Sequence, residues 1–221
     1  MSLKSLLIGA VMVAVGGAVP ACATEYLQNG SFENTDPTGK PTVWIPSGDQ
    51  TLVFVVNGIA VSYVTGAATG NVSQGAQEGS NYLLEGPTGA DAFLSQTFTA
   101  TAGMTLTISG WVTGAGPVDD PTAPPEMSDV QFLFNGVVLG SVNPVPDQIW
   151  TQYVFTAVAK DNNTFSVGFR NDNTFDGLDN FSVSSVSAVP EPATWALLLL
   201  GFAGLGLVRY RRWSVAEVIS S

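Results

Sequence analysis

The 221-residue chain contains no histidine. It therefore lacks the commonest general base and the commonest metal-binding side chain. Its single cysteine, Cys22, lies in a segment with the pattern of a cleaved leader, which leaves the mature chain without a thiol, a disulfide or a cysteine-bound metal. Positive charge is scarce: seven Lys and Arg stand against 18 Asp and Glu, for a net charge of −11. Between residues 24 and 188 the only basic residues are Lys40, Lys160 and Arg170. Nucleic acid demands a basic footprint, so it is excluded as a partner. An anionic membrane surface would repel the same stretch. No phosphate-binding loop, nucleophile elbow or dinucleotide fingerprint occurs.

Hydrophobic residues make up 45% of the chain and charged residues only 11%. Much of that apolar excess sits at the two ends. Lys4 precedes an apolar stretch over residues 6–19, and Pro20 leads into Ala21-Cys22-Ala23. A positive start, a short hydrophobic run and a small-residue cleavage site predict a signal peptide over residues 1–23. The alternatives are an N-terminal membrane anchor, for which the run is short, and a lipoprotein with Cys22 as its first mature residue. At the other end, Pro190-Glu191-Pro192 is followed by an uncharged apolar run to Val208, then Arg209, Tyr210, Arg211 and Arg212. Such a run predicts one short transmembrane helix that snorkelling arginines and Trp195 can extend, with the arginines cytoplasmic and the domain outside. A plain tail anchor has the same composition.

The three features in that order resemble the PEP-CTERM sorting signal. The resemblance implies an exported protein of a Gram-negative bacterium that makes extracellular polysaccharide. It also implies a membrane-embedded exosortase that reads Pro190, Glu191, Pro192, Arg209, Arg211 and Arg212. The chain departs from the pattern in its ending, which runs on from Trp213 to Ser221. The expected organisation is a signal peptide at 1–23, a folded domain at 24–188, the sorting signal with its helix at 189–213, and a short cytoplasmic extension at 214–221.

Residues 24–188 carry strand signals and no amphipathic helix. Phe165, Val167 and Phe169 alternate with polar or small residues, as do Val130, Phe132 and Phe134, and Tyr153, Phe155 and Ala157. Asn57-Gly58 and Asn135-Gly136 each sit between hydrophobic strands and supply the positive φ of two-residue hairpin turns. Asp161-Asn162-Asn163 is a third turn, and residues 114–125 form a Pro/Asp/Gly-rich loop. The prediction is all-β, an antiparallel β-sandwich. The motifs Asn29-Gly30-Ser31-Phe32-Glu33, Gly79-Ser80-Asn81-Tyr82-Leu83, Leu94-Ser95-Gln96-Thr97-Phe98, Gly103-Met104-Thr105-Leu106, Trp150-Thr151-Gln152-Tyr153-Val154-Phe155 and Leu178-Asp179-Asn180-Phe181-Ser182-Val183, in that order, resemble the galactose-binding-like jelly roll of many carbohydrate-binding modules.

Three kinds of chemistry can be weighed on that scaffold. The jelly-roll resemblance implies a structural Ca²⁺ joining the first strand to the last, with Glu33 and Asp179 as ligands. Hard oxygen donors suit that ion. The plainer reading makes Glu33 a strand-end charge and Asp179 a turn former. Asp172 to Gly177 mimics the start of an EF-hand loop, but Val183 stands where a bidentate Glu is required, so that reading is rejected. For sugar binding, Trp111 shares parity with Thr105, Thr107 and Ser109 and should lie on a polar face. Trp44 and Tyr63 are further stacking candidates beside loops, and Trp150 is expected in the core. The alternative for Trp111 is a tryptophan that merely covers the sandwich rim. For catalysis, all acids but Glu191 and Glu217 lie between residues 25 and 179, so no pair stands out. The expected function is non-enzymatic: an exported surface or matrix protein that binds exopolysaccharide. Set against it are a structural or adhesive protein with no glycan site and a simple membrane anchor, and a small secreted hydrolase.

Overall fold

Side chains along an extended chain point alternately to opposite faces, so a period of two decides which residues become core. The computed structural model describes residues 23–58, 75–114, 128–172, 174–185 and 200–203. Ten strands form within the unit Ala23–Val186. They are β1 (Ile45–Gly48), β2 (Val53–Asn57), β3 (Asn81–Glu85), β4 (Ala92–Thr99) and β5 (Thr105–Gly114), then β6 (Ser128–Phe134), β7 (Val137–Val142), β8 (Thr151–Val158), β9 (Asn162–Asn171) and β10 (Asp176–Ser185). One sheet has the order β1-β4-β9-β6-β7 and the other β2-β3-β10-β5-β8. Every strand pairing is antiparallel, which makes the unit an antiparallel β-sandwich as expected.

The core fills from the alternating positions. Phe165, Val167 and Phe169 of β9 are buried, as are Val130, Phe132 and Phe134 of β6. From the opposite sheet come Leu106, Ile108 and Val112 of β5, with Leu178, Phe181 and Val183 of β10. Aromatic rings interlock at the centre: Phe132 lies 5.6 Å from Phe181 and 5.0 Å from Phe155 between ring centroids. The chain start is tied to the last strand, because Tyr26 N–H donates to the Val183 carbonyl and Glu25 bridges to Ser184.

The Asn135-Gly136 turn forms as predicted. Both residues have positive φ, 51° and 78°, and they join β6 to β7. Of the expected Asp161-Asn162-Asn163 turn, Asn162 and Asn163 are instead the first residues of β9, paired with Thr99 and Phe98, and the short connection before them does something the periodicity could not reveal. It carries the chain from β8 in one sheet to β9 in the other. Gly58 also has positive φ, but the residues just beyond it lie outside the described ones, as does the loop after Gly114.

A second, smaller apolar cluster forms on the outer face of the β3 sheet. Tyr82 and Leu84 point away from the main core and are buried under Phe175, Val56 and Trp150. Trp150 was expected in the core. It packs instead in this outer cluster, with its ring 6.0 Å from Tyr82 and edge-on. Gly177 makes room for it, since a Cβ there would stand 3.1 Å from the Trp150 ring and 3.0 Å from Thr113.

Residues 200–203 are helical. Among the described residues no helix is long and apolar enough to cross a membrane. The leader residues 1–22, Tyr63 and the sorting residues Pro190, Glu191, Pro192, Arg209, Arg211 and Arg212 lie outside the described residues.

Candidate functional site

Strand β5 runs between β10 and β8, so each outward side chain of β5 has a neighbour on both sides. Residues directly opposite in an antiparallel pair share a face. Trp111 is paired with Asp179 on β10 and with Gln152 on β8. The next outward row is Ser182, Ser109 and Val154, and the one after it is Ser184, Thr107 and Thr156. This face is therefore a floor of short side chains, five of them hydroxyls and one the exposed Val154, with one indole beside it. Trp111 is half-buried and Gln152 exposed. Because β5 continues to Gly114 and is flanked on both sides, Trp111 stands within a sheet face and does not cap a strand end.

Trp44 requires a correction. It was expected beside a loop as a stacking residue, but only 5% of its surface is exposed. Its ring packs among Phe32, Phe165 and Phe181, and Nε1–H donates to the Asn29 carbonyl at 2.9 Å. The segment around it has no periodic pattern to show which way it turns. The core takes it because a large indole with one satisfied donor is stabilised by burial.

Glu33 and Asp179 are brought to one loop, residues 75–80. Asp179 Oδ2 accepts the N–H groups of Gln77 at 2.7 Å and Glu78 at 2.9 Å, and its Oδ1 accepts that of Asn180 at 2.7 Å. Glu33 Oε1 accepts the N–H groups of Ser80 and Asn81, both at 2.8 Å. Two carboxylates thus grip consecutive turns of the same loop. Gly79 sits between them with φ +70°, and a Cβ there would collide with the Glu33 carboxylate. A bulge in β10 delivers this geometry: register shifts between Asp179 and Ser182, with Asn180 at positive φ. Burial pushes the Asp179 carboxyl up to about 7; the N–H donors of Glu78, Asn180 and Gln77 pull it down, and the Glu33 charge raises it further. The donor set is of the hard-oxygen kind that Ca²⁺ takes, and the mutual repulsion is of the kind a cation relieves. The residues fit the ion. Among the described residues no third carboxylate joins them, so further ligands would have to be carbonyl or water oxygens.

A second acid pair has no counterpart among the sequence expectations. Glu85 of β3 and Asp176 of β10 are cross-strand partners, and neither has any exposed surface. Glu85 shares parity with the core residue Leu83, so it points between the sheets. Ser128 of the opposite sheet donates to Asp176 Oδ2 at 2.8 Å, and Ser128 Oγ accepts the Val145 N–H at 3.3 Å. Among the described residues no donor reaches either oxygen of Glu85. Its carboxyl is driven well above the usual range, first by burial, then by the charge of Asp176. The signal in the sequence was an acid at a core parity, but Tyr82 and Leu84 on the other face are as apolar as Leu83, which hid it.

Comparison with known proteins bears on the fold and on the C-terminal motif. Residues 188–212 match the PEP-CTERM protein-sorting motif. No curated protein matches the chain. Among solved structures, TmCBM61 in complex with β-1,4-galactotriose is similar at 20% identity and a TM-score of 0.50, covering 72% of this chain and 97% of its own. The CBM22-1 xylan-binding domain of Paenibacillus barcinonensis Xyn10C aligns at 17% identity and a TM-score of 0.38, over 72% of this chain and 93% of its own. A family 35 carbohydrate-binding module from Clostridium thermocellum aligns at 14% identity and a TM-score of 0.35, over 64% and 99%. The chain is thus an exported protein, addressed to the cell envelope by a PEP-CTERM protein-sorting motif, whose folded part is a jelly-roll sandwich of the kind seen in carbohydrate-binding modules.

Proposed function

We propose that this chain is a non-enzymatic surface or matrix protein that binds a neutral exopolysaccharide on the outer face of β10, β5 and β8. The observation that carries the reading is the half-buried Trp111, with Gln152 directly opposite, beside a floor of Ser and Thr broken by Val154. An indole face stacks on the apolar face of a sugar ring, and amide and hydroxyl groups take its hydroxyls. The acidic chain favours neutral over anionic glycans. An exosortase reads Pro190-Glu191-Pro192 and the Arg209, Arg211 and Arg212 cluster while the apolar run holds the precursor in the inner membrane of a Gram-negative cell. Glu33 and Asp179 hold a structural Ca²⁺ beside the loop they grip; the support for this is the convergence of two carboxylates that repel one another.

Affinity electrophoresis through neutral polysaccharides tests the glycan reading. The native chain is expected to be retarded and Trp111→Ala to run as in an empty gel, with unchanged melting. Equal retardation of both would overturn the site. Intact mass from an exosortase-bearing host tests the sorting reading. Loss of everything beyond the Pro190-Glu191-Pro192 region is expected, and full retention in the membrane fraction would favour a simple anchored adhesin.

A further inference from the structure

Glu85 is buried between apolar sheets with no donor on either carboxyl oxygen among the described residues, and it faces a second buried acid, Asp176. Glu85 and Asp176 sit directly opposite on β3 and β10, which places their Cβ atoms about 5 Å apart. The cations of the described residues are engaged or remote. Lys40 Nζ donates to the carbonyls of Gln50 and Val53. Arg170 donates bidentately to Asp172. Lys160 precedes β9, at the opposite end of that ten-residue strand from Asn171, where the acid pair lies; ten extended residues span about 30 Å. A proton shared between the two acids would serve at most one oxygen of Glu85. The second would stay buried without a donor, at a cost of about 1–3 kcal/mol. A cation held by both carboxyls serves both.

We propose that Glu85 and Asp176 form a buried site for a hard divalent cation of the calcium class, with Ser128 Oγ as a neutral ligand from the opposing sheet. The ligands are all oxygen, which selects against zinc and copper. The two carboxylates match the charge of one divalent ion. The site joins β3 and β10 to β6, so the ion would pin one sheet to the other at that end of the sandwich. This site is separate from Glu33 and Asp179 and does not depend on glycan binding.

The test uses the purified full chain stripped with EDTA, with calcium chloride as the probe. Thermal melting is followed alongside the calcium retained after dialysis. Calcium is expected to raise the melting temperature by several degrees. Glu85→Gln, close to isosteric, should abolish one retained equivalent and that share of the shift, and should do so equally in a Glu33→Gln background, where any ion held by Glu33 and Asp179 is already lost. Should Glu85→Gln fail to fold, Ser128→Ala serves instead, with calcium affinity weakened at least about tenfold. The proposal is overturned if Glu85→Gln, or Ser128→Ala in its place, binds calcium as the native chain does. It is equally overturned if the native chain retains no ion, which leaves the pair a shared proton.

Discussion

The two acid pairs of the sandwich, Glu33 with Asp179 and Glu85 with Asp176, are made of the same chemistry and held in opposite ways. The first pair lies against a loop whose main chain, with that of Asn180, offers five N–H donors to it. The second lies between sheets, where the ladder has already taken the neighbouring main-chain donors. Buried charge is tolerated where backbone dipoles can converge on it, and a loop can curl to do so while a strand cannot. Glu85, enclosed between strands with no donor on either oxygen among the described residues, is left to an ion or a proton. Glu33 and Asp179, over which a loop folds, are held by the main chain with or without an ion.

The largest expected effect comes from removing the acceptor of the first pair. Asp179→Ala strands the N–H groups of Gln77, Glu78 and Asn180, and should cost about 3–5 kcal/mol in urea unfolding. A loss below about 1 kcal/mol would mean the loop is not held there. Next, Glu85→Gln measured in EDTA should stabilise the chain by about 1–3 kcal/mol, because it removes a buried carboxyl that must either carry charge or take up a proton on folding. The opposite sign would show that Glu85 has a partner in the metal-free protein and would erase the contrast. Gly79→Ala should cost about 1–3 kcal/mol through positive φ and the clash with Glu33; combined with Glu33→Ala, the steric part of that penalty should disappear in a double-mutant cycle.

The smallest effect belongs to the surface pair Arg170–Asp172, 2.7 Å apart and partly exposed. The Arg170 guanidinium holds the Asp172 carboxyl below its ordinary value. A lowered carboxyl contributes stability that is full above its unfolded value and is lost as pH falls through the folded one. Asp172→Asn should thus be near-neutral at pH 7, where solvent screens the pair, and should flatten a slight loss of stability below about pH 4. Acid melts of both forms measure this, and parallel curves would show that the pair contributes nothing.

Where the sequence was readable, a local rule was enough. Phe165, Val167 and Phe169 carry their two-residue period without interruption, and all three are core. Trp111 could be placed on the polar face because its parity with Thr105, Thr107 and Ser109 is unambiguous. Asn135-Gly136 makes a hairpin because both positions tolerate positive φ. Where two faces were equally apolar, as at Tyr82, Leu83 and Leu84, parity did not say which was inside, and Glu85 was hidden with them. Trp44 lies in a stretch with no period at all, so its burial among Phe32, Phe165 and Phe181 had no local signature.

By itself the sequence determined the all-β class, the inward set of the long strands, the absence of imidazole chemistry, and the sorting motif at the end. Those depend on composition and on neighbours along the chain. Only the tertiary structure decided that the Asp161 turn crosses between sheets, that Gln152 stands opposite Trp111, and that Glu85 meets Asp176 under Ser128. Strand partners are chosen by the packing of distant segments. No residue carries its partner's identity in its own side chain.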